Sequence, residues 1–337
     1  MNSRDRVFSA LYLEEPDMVP IDEEISGPIF LKLAEGEKSY TEQLIHVRKR
    51  KLDLDIAVAC SEDSGCMACA MPVNFRKNII QETEDRVIFK DPNGITWLSI
   101  PSEGREFWID NPIKDYEDLK NFEFAKLDLE ENYVEYERRI KKLKDYFFVF
   151  GDTPDPVELA ARLRGHKRLL ADIYRNPSFV KELFRKCHEN IMKTIRLLIE
   201  LDVDGIYLYG DVAFKTGPMM SPEHYKEFVI PFVKEEINYC KRRSIPVRFH
   251  SDGNISPLIP LLIEAGYNAI DPLEPVAGME ISFLKEKFGE KICLIGNVDH
   301  RTTLPKGTTK EVGDEVRRLI MLAAPGGGYI LHSGGSI

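Results

Sequence analysis

Cysteine and tryptophan are scarce in this chain, six and two in 337 residues. The six cysteines (Cys60, Cys66, Cys69, Cys187, Cys240 and Cys293) are scattered through a long sequence, which argues against the dense disulfide framework of a small secreted domain. No segment approaches the roughly 20 apolar residues that a membrane span needs. The charged amino terminus, MNSRDRVFSALYLEEPD, lacks the apolar core of a signal peptide. Basic residues are outnumbered, 46 Lys and Arg against 56 Asp and Glu, so a general affinity for nucleic acid or an anionic membrane is not expected. Internal repeats and low-complexity tracts are also missing, which sets aside solenoids and linkers. The expectation is a reduced, cytoplasmic chain whose 43% hydrophobic content supports a sizeable core.

The length suits one large α/β barrel or two ordinary domains. Residues 1–145 read as mixed structure. Ser3–Leu13 is a short helix stopped near Pro16, and Thr41–Leu52 a second helix capped by Thr41. Asp55–Cys60 reads as a buried strand, and Glu130–Lys144 as a charged helix. Alternating runs between Val73 and Trp108, broken at Asp91-Pro92-Asn93-Gly94, predict β-hairpins. From residue 146 to 337, short apolar runs alternate with long helical patterns. The runs are 146–152, 205–211, 246–252, 268–274, 292–299 and 328–333. This rhythm predicts a parallel sheet, and so many units favour a (β/α)8 TIM barrel carrying an N-terminal α+β extension, one structural domain overall. An open doubly wound sheet is the alternative, weakened by the lack of a Gly-x-Gly-x-x-Gly turn.

The ends of these runs carry the functional signal. They are Asp152, Asp211, His250 with Asp252, Glu274, Asn297 with Asp299, and His332. Each Asp or Asn alone is also what caps the helix after a βα loop. Capping does not select two histidines, however, and in a barrel all these ends converge on one mouth, where barrel enzymes place their chemistry. Pro325-Gly326-Gly327-Gly328 precedes a strand, so it reads as a tight αβ turn and not as a phosphate loop. Cys66-Met67-Ala68-Cys69 has no second pair to complete a zinc site. A loop thiol, a lid contact and a redox pair all remain open for it.

Five blocks stand out: RVFSALYLEEPDMVPID at the start, GDVAFKTGPMMSPEHYKEFVIPFVK at 210–234, PVRFHSDGNI at 246–255, AIDPLEP, and LIGNVDHRTTLPKGTTKEV. Together they resemble the uroporphyrinogen decarboxylase superfamily over nearly the whole chain. The resemblance implies the same barrel, with a closing helix beyond Ile337, and one of two chemistries. One is cofactor-free decarboxylation of uroporphyrinogen. The other is methyl transfer to or from a corrinoid carried by a partner protein. The decarboxylases have an Arg-Gln-Ala-Gly-Arg motif where this chain reads PIDEEISGPIFLKLAEG, and those acids would repel an eightfold carboxylate. Only Arg162, Arg164 or Arg248 could replace the missing cations. The methyltransferases bind zinc through His-x-Cys and a later Cys. Here His250 matches, Asp252 takes the first cysteine position, and the later one falls near Gly335, three residues after His332.

The reading favoured is therefore a corrinoid-dependent methyltransferase acting on a small O- or N-methylated compound. Lacking an Asp-x-His-x-x-Gly motif, it would meet its methylcorrinoid on a separate corrinoid protein. His250, Asp252, Glu274 and Asp211 are the expected catalytic residues. Asp152, Tyr209, Phe214, Asn297, Asp299 and His332 are the expected substrate contacts. His250, Asp252, Glu274 and His332 are candidate ligands for zinc or a harder divalent ion. Uroporphyrinogen decarboxylase is the second reading. A non-catalytic barrel that binds a small molecule or a corrinoid protein is the third. A homodimer is compatible with all three.

Overall fold

The structure, a computed structural model, describes residues 1–25, 27–34, 36, 40–58, 77–103, 105–125 and 129–335. Its strands, in chain order, begin with β1 (Ile56–Val58). An antiparallel group follows: β2 (Asn78–Glu82), β3 (Val87–Lys90), β4 (Thr96–Ile100) and β5 (Arg105–Asp110). Next come β6 (Phe148–Pro154), β7 (Gly205–Tyr209), a small hairpin of β8 (Ala213–Phe214) and β9 (Gly217–Pro218), then β10 (Val247–His250). The chain ends with β11 (Ala269–Asp271), β12 (Cys293–Val298) and β13 (Tyr329–Ser333).

Seven strands form one parallel sheet in the order β1-β6-β7-β10-β11-β12-β13, with helices following most strands. The eighth stave is only Pro20–Asp22. Asp22 N–H donates to Leu331 O and Leu331 N–H to Pro20 O, both at 2.9 Å, while Asp55 N–H donates to Ile21 O at 2.8 Å. Ile21 thus bridges β13 on one side and is tied to the approach to β1 on the other, which closes the TIM barrel. The strands are buried on both faces, as a parallel sheet covered by helices requires. Inward residues Ile56, Phe148, Phe150, Ala269, Cys293, Ile295 and Ile330 pack with Val7, Ala10 and Leu11 of the helix Ser3–Leu11. No helix among the described residues is long and apolar enough to cross a membrane.

The N-terminal extension is α+β as expected, with two refinements. The hairpin region is a four-stranded antiparallel sheet, β2-β3-β4-β5, turned at Asp91-Pro92-Asn93-Gly94 with Gly94 at φ 79°. The predicted helix at Thr41–Leu52 begins at Tyr40, and from Ile45 to Lys51 it winds as a π-helix. Its wider turn presents Ile45, Val47 and Arg48 to the interior together, a spacing that a 3.6-residue period does not anticipate. The Gly326–Gly328 turn precedes β13 and lies against Leu13 and Glu14 at the amino end of the barrel, as read from the sequence.

One glycine makes a stability test. Gly296 in β12 has φ +132°, and a Cβ there would fall 1.7 Å from the Pro272 carbonyl oxygen. Gly296→Ala is expected to cost about 3 kcal/mol or more in urea unfolding, from backbone strain plus the clash. A loss under about 0.5 kcal/mol, the range of neutral surface substitutions, would contradict this packing.

Candidate active site at the carboxyl mouth

Side chains alternate along a strand, so Arg248 and His250 share the inner face of β10 while Val247 and Phe249 face the helices. The same rule puts Asp271 inward on β11 beside Ala269, and Tyr207 and Tyr209 inward on β7. Strand register then sets the neighbours: His250 lies opposite Asp271 on one side and Tyr209 on the other.

Beyond His250 the chain turns through Ser251, Asp252 and Gly253, and three bonds stitch the turn to its neighbours. Val212 N–H donates to Ser251 Oγ at 3.0 Å, Asp252 N–H to Asp211 Oδ1 at 3.0 Å, and Gly253 N–H to Glu274 Oε2 at 2.7 Å. Gly253 is at φ +86°, and a Cβ there would press on the Ala213 and Phe214 carbonyls at 2.7 Å.

The turn gathers three ionisable groups. His250 Nδ1 lies 3.1 Å from Asp271 Oδ2, and Nε2 lies 3.8 Å from Asp211 Oδ1. Ligand-capable atoms of Asp211, His250 and Asp252 all fall within 4.8 Å of one another. Burial alone would push the His250 ring down. The Asp271 carboxylate and its hydrogen bond, then Asp211 and Asp252, overcome that and lift the ring to about 10. His250 is therefore an imidazolium at neutral pH, with Nδ1–H donating to Asp271. Burial raises Asp252 to about 6; His250 opposes the rise, while repulsion from Asp211, Glu274 and Glu24 adds to it.

Below this cluster lies a layer of buried charge. Arg248 donates Nε to Asp271 Oδ1 at 2.9 Å and one terminal nitrogen to Oδ2 at 2.6 Å, and its other terminal nitrogen reaches Asp22 Oδ2 at 2.7 Å. Arg48 takes the second oxygen of Asp22 at 2.7 Å. Burial would favour a neutral Asp271, yet Arg248 and then His250 hold it well below the usual carboxylate range. Asp22 is likewise lowered, against its burial, by Arg248, Arg48 and His332.

Of the residues singled out in the sequence, Asp211, His250 and Asp252 come together, and Glu274 adjoins them through the Gly253 N–H and its repulsion of Asp252. Asp152 shares the inner face of β6 with Phe148 and Phe150, and Tyr209 is buried on β7. His332 is not in the trio: its ring bonds the Ser333 carbonyl and faces Asp22 and Glu23. Asn297 donates to the Leu273 and Met279 carbonyls, and Asp299 accepts from the N–H groups of Arg301 and Thr302. Both tie loops, which leaves them outside the cluster. Phe214 is 58% exposed on its hairpin, next to the Gly253 turn. Cys66 and Cys69 lie outside the described residues.

Asp271, Asp22 and Arg48 were missed. The available signal was Arg248 itself, a cation inside a buried apolar strand, which must find a buried carboxylate. The three arginines that could have received an anionic substrate are all engaged. Arg248 holds Asp22 and Asp271, and Arg164 holds Asp172 at 2.8 Å. Arg162 holds Glu158 at 2.8 Å beneath the rings of Trp97, Trp108 and Tyr209.

A closed parallel barrel with ionisable groups gathered at its carboxyl mouth is the layout of the barrel enzymes. The family model described as uroporphyrinogen decarboxylase (URO-D) matches residues 98–337, and the chain belongs to that family. A uroporphyrinogen decarboxylase of Ruthia magnifica subsp. Calyptogena magnifica is 19% identical over 297 residues, covering 84% of this chain and 82% of its own length. One from Chlorobium phaeobacteroides is 24% identical over 151 residues, 44% of this chain and only 40% of that relative. Among solved structures, a methyltransferase from Methanosarcina mazei superposes with TM-score 0.73 at 17% identity, over 100% of this chain and 94% of its own. A B12-independent methionine synthase from Shewanella sp. W3-18-1 follows at TM-score 0.52 and 14% identity, over 94% and 89%. At these identities the structural likeness is one of fold.

Proposed function

We propose that this protein transfers a methyl group between a small O- or N-methylated compound and a corrinoid carried on a separate protein. The observation that carries this reading is the mouth: His250 set among the carboxylates of Asp271, Asp211 and Asp252, which favour its protonated form, with Arg162, Arg164 and Arg248 all engaged elsewhere. Such an arrangement offers a proton donor for a leaving group, while these three arginines already hold carboxylates of the chain itself. The fold shared with the Methanosarcina mazei methyltransferase supports the same choice.

Demethylation breaks a C–O or C–N bond and leaves the electron pair on oxygen or nitrogen, while the methyl group passes to the corrinoid. The leaving atom then carries negative charge unless it is protonated. His250 donates Nε2–H to that atom and is left as the neutral imidazole. Asp271 keeps the ring aligned through Nδ1–H, and Asp211 and Asp252 stabilise the cation before transfer. Glu274 holds the turn through Gly253 N–H. The two carboxylates and the imidazole, once Nε2 has lost its proton, also fit a divalent ion, which would then act in place of Nε2–H and not beside it. The donation of Nδ1–H to a carboxylate is the usual support of a ligating histidine, and the oxygen-rich set suits zinc or a harder ion. Bound there, it would supply Lewis acidity toward the same leaving atom.

The test is a panel of O- and N-methylated donors incubated with the protein and reduced cobalamin, followed by its spectral change on methylation. Methylation by at least one donor is expected, and none across the panel counts against the reading. The pH profile of kcat/KM sharpens it. Because His250 is raised, its donor form persists until pH approaches about 10, so the alkaline fall should come there. A fall centred near the ordinary histidine value of roughly 6.5 would contradict the assignment.

The names of the relatives favour a second reading, decarboxylation of uroporphyrinogen. For Arg162, Arg164 or Arg248 to serve it, each would have to leave its present carboxylate.

A further inference from the structure

Barrel interiors are ordinarily filled by layers of apolar side chains. Here the layer beneath the mouth is ionic. Arg48, Asp22, Arg248, Asp271 and His250 form one unbroken chain of charged contacts from the π-helix to the mouth. Asp22, Arg48, Arg248 and Asp271 are all buried. Buried ion pairs carry a large desolvation cost, and well-packed apolar residues often serve stability as well or better. The geometry offers a different purpose. A guanidinium is a rigid planar fork, so fixing one of its nitrogens constrains the others. Asp22 fixes one terminal nitrogen of Arg248 at 2.7 Å, and the remaining two contacting nitrogens grip both oxygens of Asp271. The carboxylate so fixed accepts Nδ1–H of His250.

We propose that Asp22 is a positioning residue for His250. Acting through Arg248 and Asp271, it holds the imidazole with Nδ1 bonded inside the barrel and Nε2 turned to the mouth. Because Asp22 belongs to the short eighth stave, closing the barrel and aiming His250 are a single arrangement. Its meaning for catalysis rests on the proposed role of His250, but the orientation itself is read without substrate or corrinoid.

Proton NMR of protein carrying 15N in its seven histidines makes that reading. The parent should show a slowly exchanging Nδ1–H resonance that disappears in His250→Gln; a parent without it overturns the proposal. Asp22→Asn keeps the side-chain shape and removes the charge. Loss of the resonance, or exchange with water faster by about ten-fold or more, is expected while the backbone spectrum stays dispersed. An unchanged shift and exchange rate in folded Asp22→Asn overturns the proposal. If that variant does not fold, Arg48→Lys breaks the same chain at its outer end. About threefold faster exchange is then expected, and an unchanged rate overturns the proposal. Arg164→Lys, which disturbs a pair outside the chain, must leave the resonance in place. An equal effect there would mean general loosening and would also overturn it.

Discussion

Replacing His250 with alanine is expected to lower the turnover number for methyl transfer by about 10²- to 10⁴-fold, the range that a positioned acid supplies. Without Nε2–H, the oxygen or nitrogen must depart as an anion into a mouth already lined by Asp211, Asp252 and Glu274. Those carboxylates destabilise it further. KM should change far less, because His250 acts mainly on charge that develops in the transition state. The fold should survive, since Asp271 keeps both contacts with Arg248. Added imidazole should restore part of the rate by occupying the space left beside Asp271. The measurement is kcat and KM of the variant with reduced cobalamin, with and without imidazole. Activity within a few-fold of the parent would remove His250 from the chemistry.

Arg248→Met carries the largest expected loss of stability, about 3–5 kcal/mol in urea unfolding at neutral pH, because it strips a buried cation from two buried carboxylates. Asp22 keeps Arg48 and Asp271 keeps His250, so each is left half-satisfied and not bare. The pH dependence has a definite sign. Both carboxyls have folded pKa values below the usual range, so their contribution is present above the unfolded value and is lost as pH falls through the folded one. In the variant those values rise. The gap between parent and variant should therefore narrow below about pH 4, where the carboxyls can become neutral. A constant gap from pH 7 to pH 3.5, or one under about 1 kcal/mol, would mean that the ionic layer is not a network.

The barrel was legible because apolar strands alternating with amphipathic helices leave few arrangements. The mouth was legible because strand ends such as Asp211 and His250 point the same way in any parallel barrel. What local pattern could not supply was partnership. Arg248 and His250 stand two residues apart on β10, but their shared carboxylate, Asp271, sits on β11, and only strand register brings it opposite His250. Asp22 was harder still. It lies on a stave of three residues with a single bridge, too short for any periodicity to mark as a strand. His332 and Asn297 also end strands, and local pattern could not show that the first faces Asp22 and Glu23 or that the second donates to the Leu273 carbonyl.

The measurement that most directly tests the proposed chemistry offers one preparation of the protein both substrates in parallel. One arm contains the panel of methylated donors with reduced cobalamin, and the other contains uroporphyrinogen. Methylcobalamin is expected in the first arm, abolished by His250→Ala, and no coproporphyrinogen in the second. Coproporphyrinogen without methylcobalamin would contradict that chemistry.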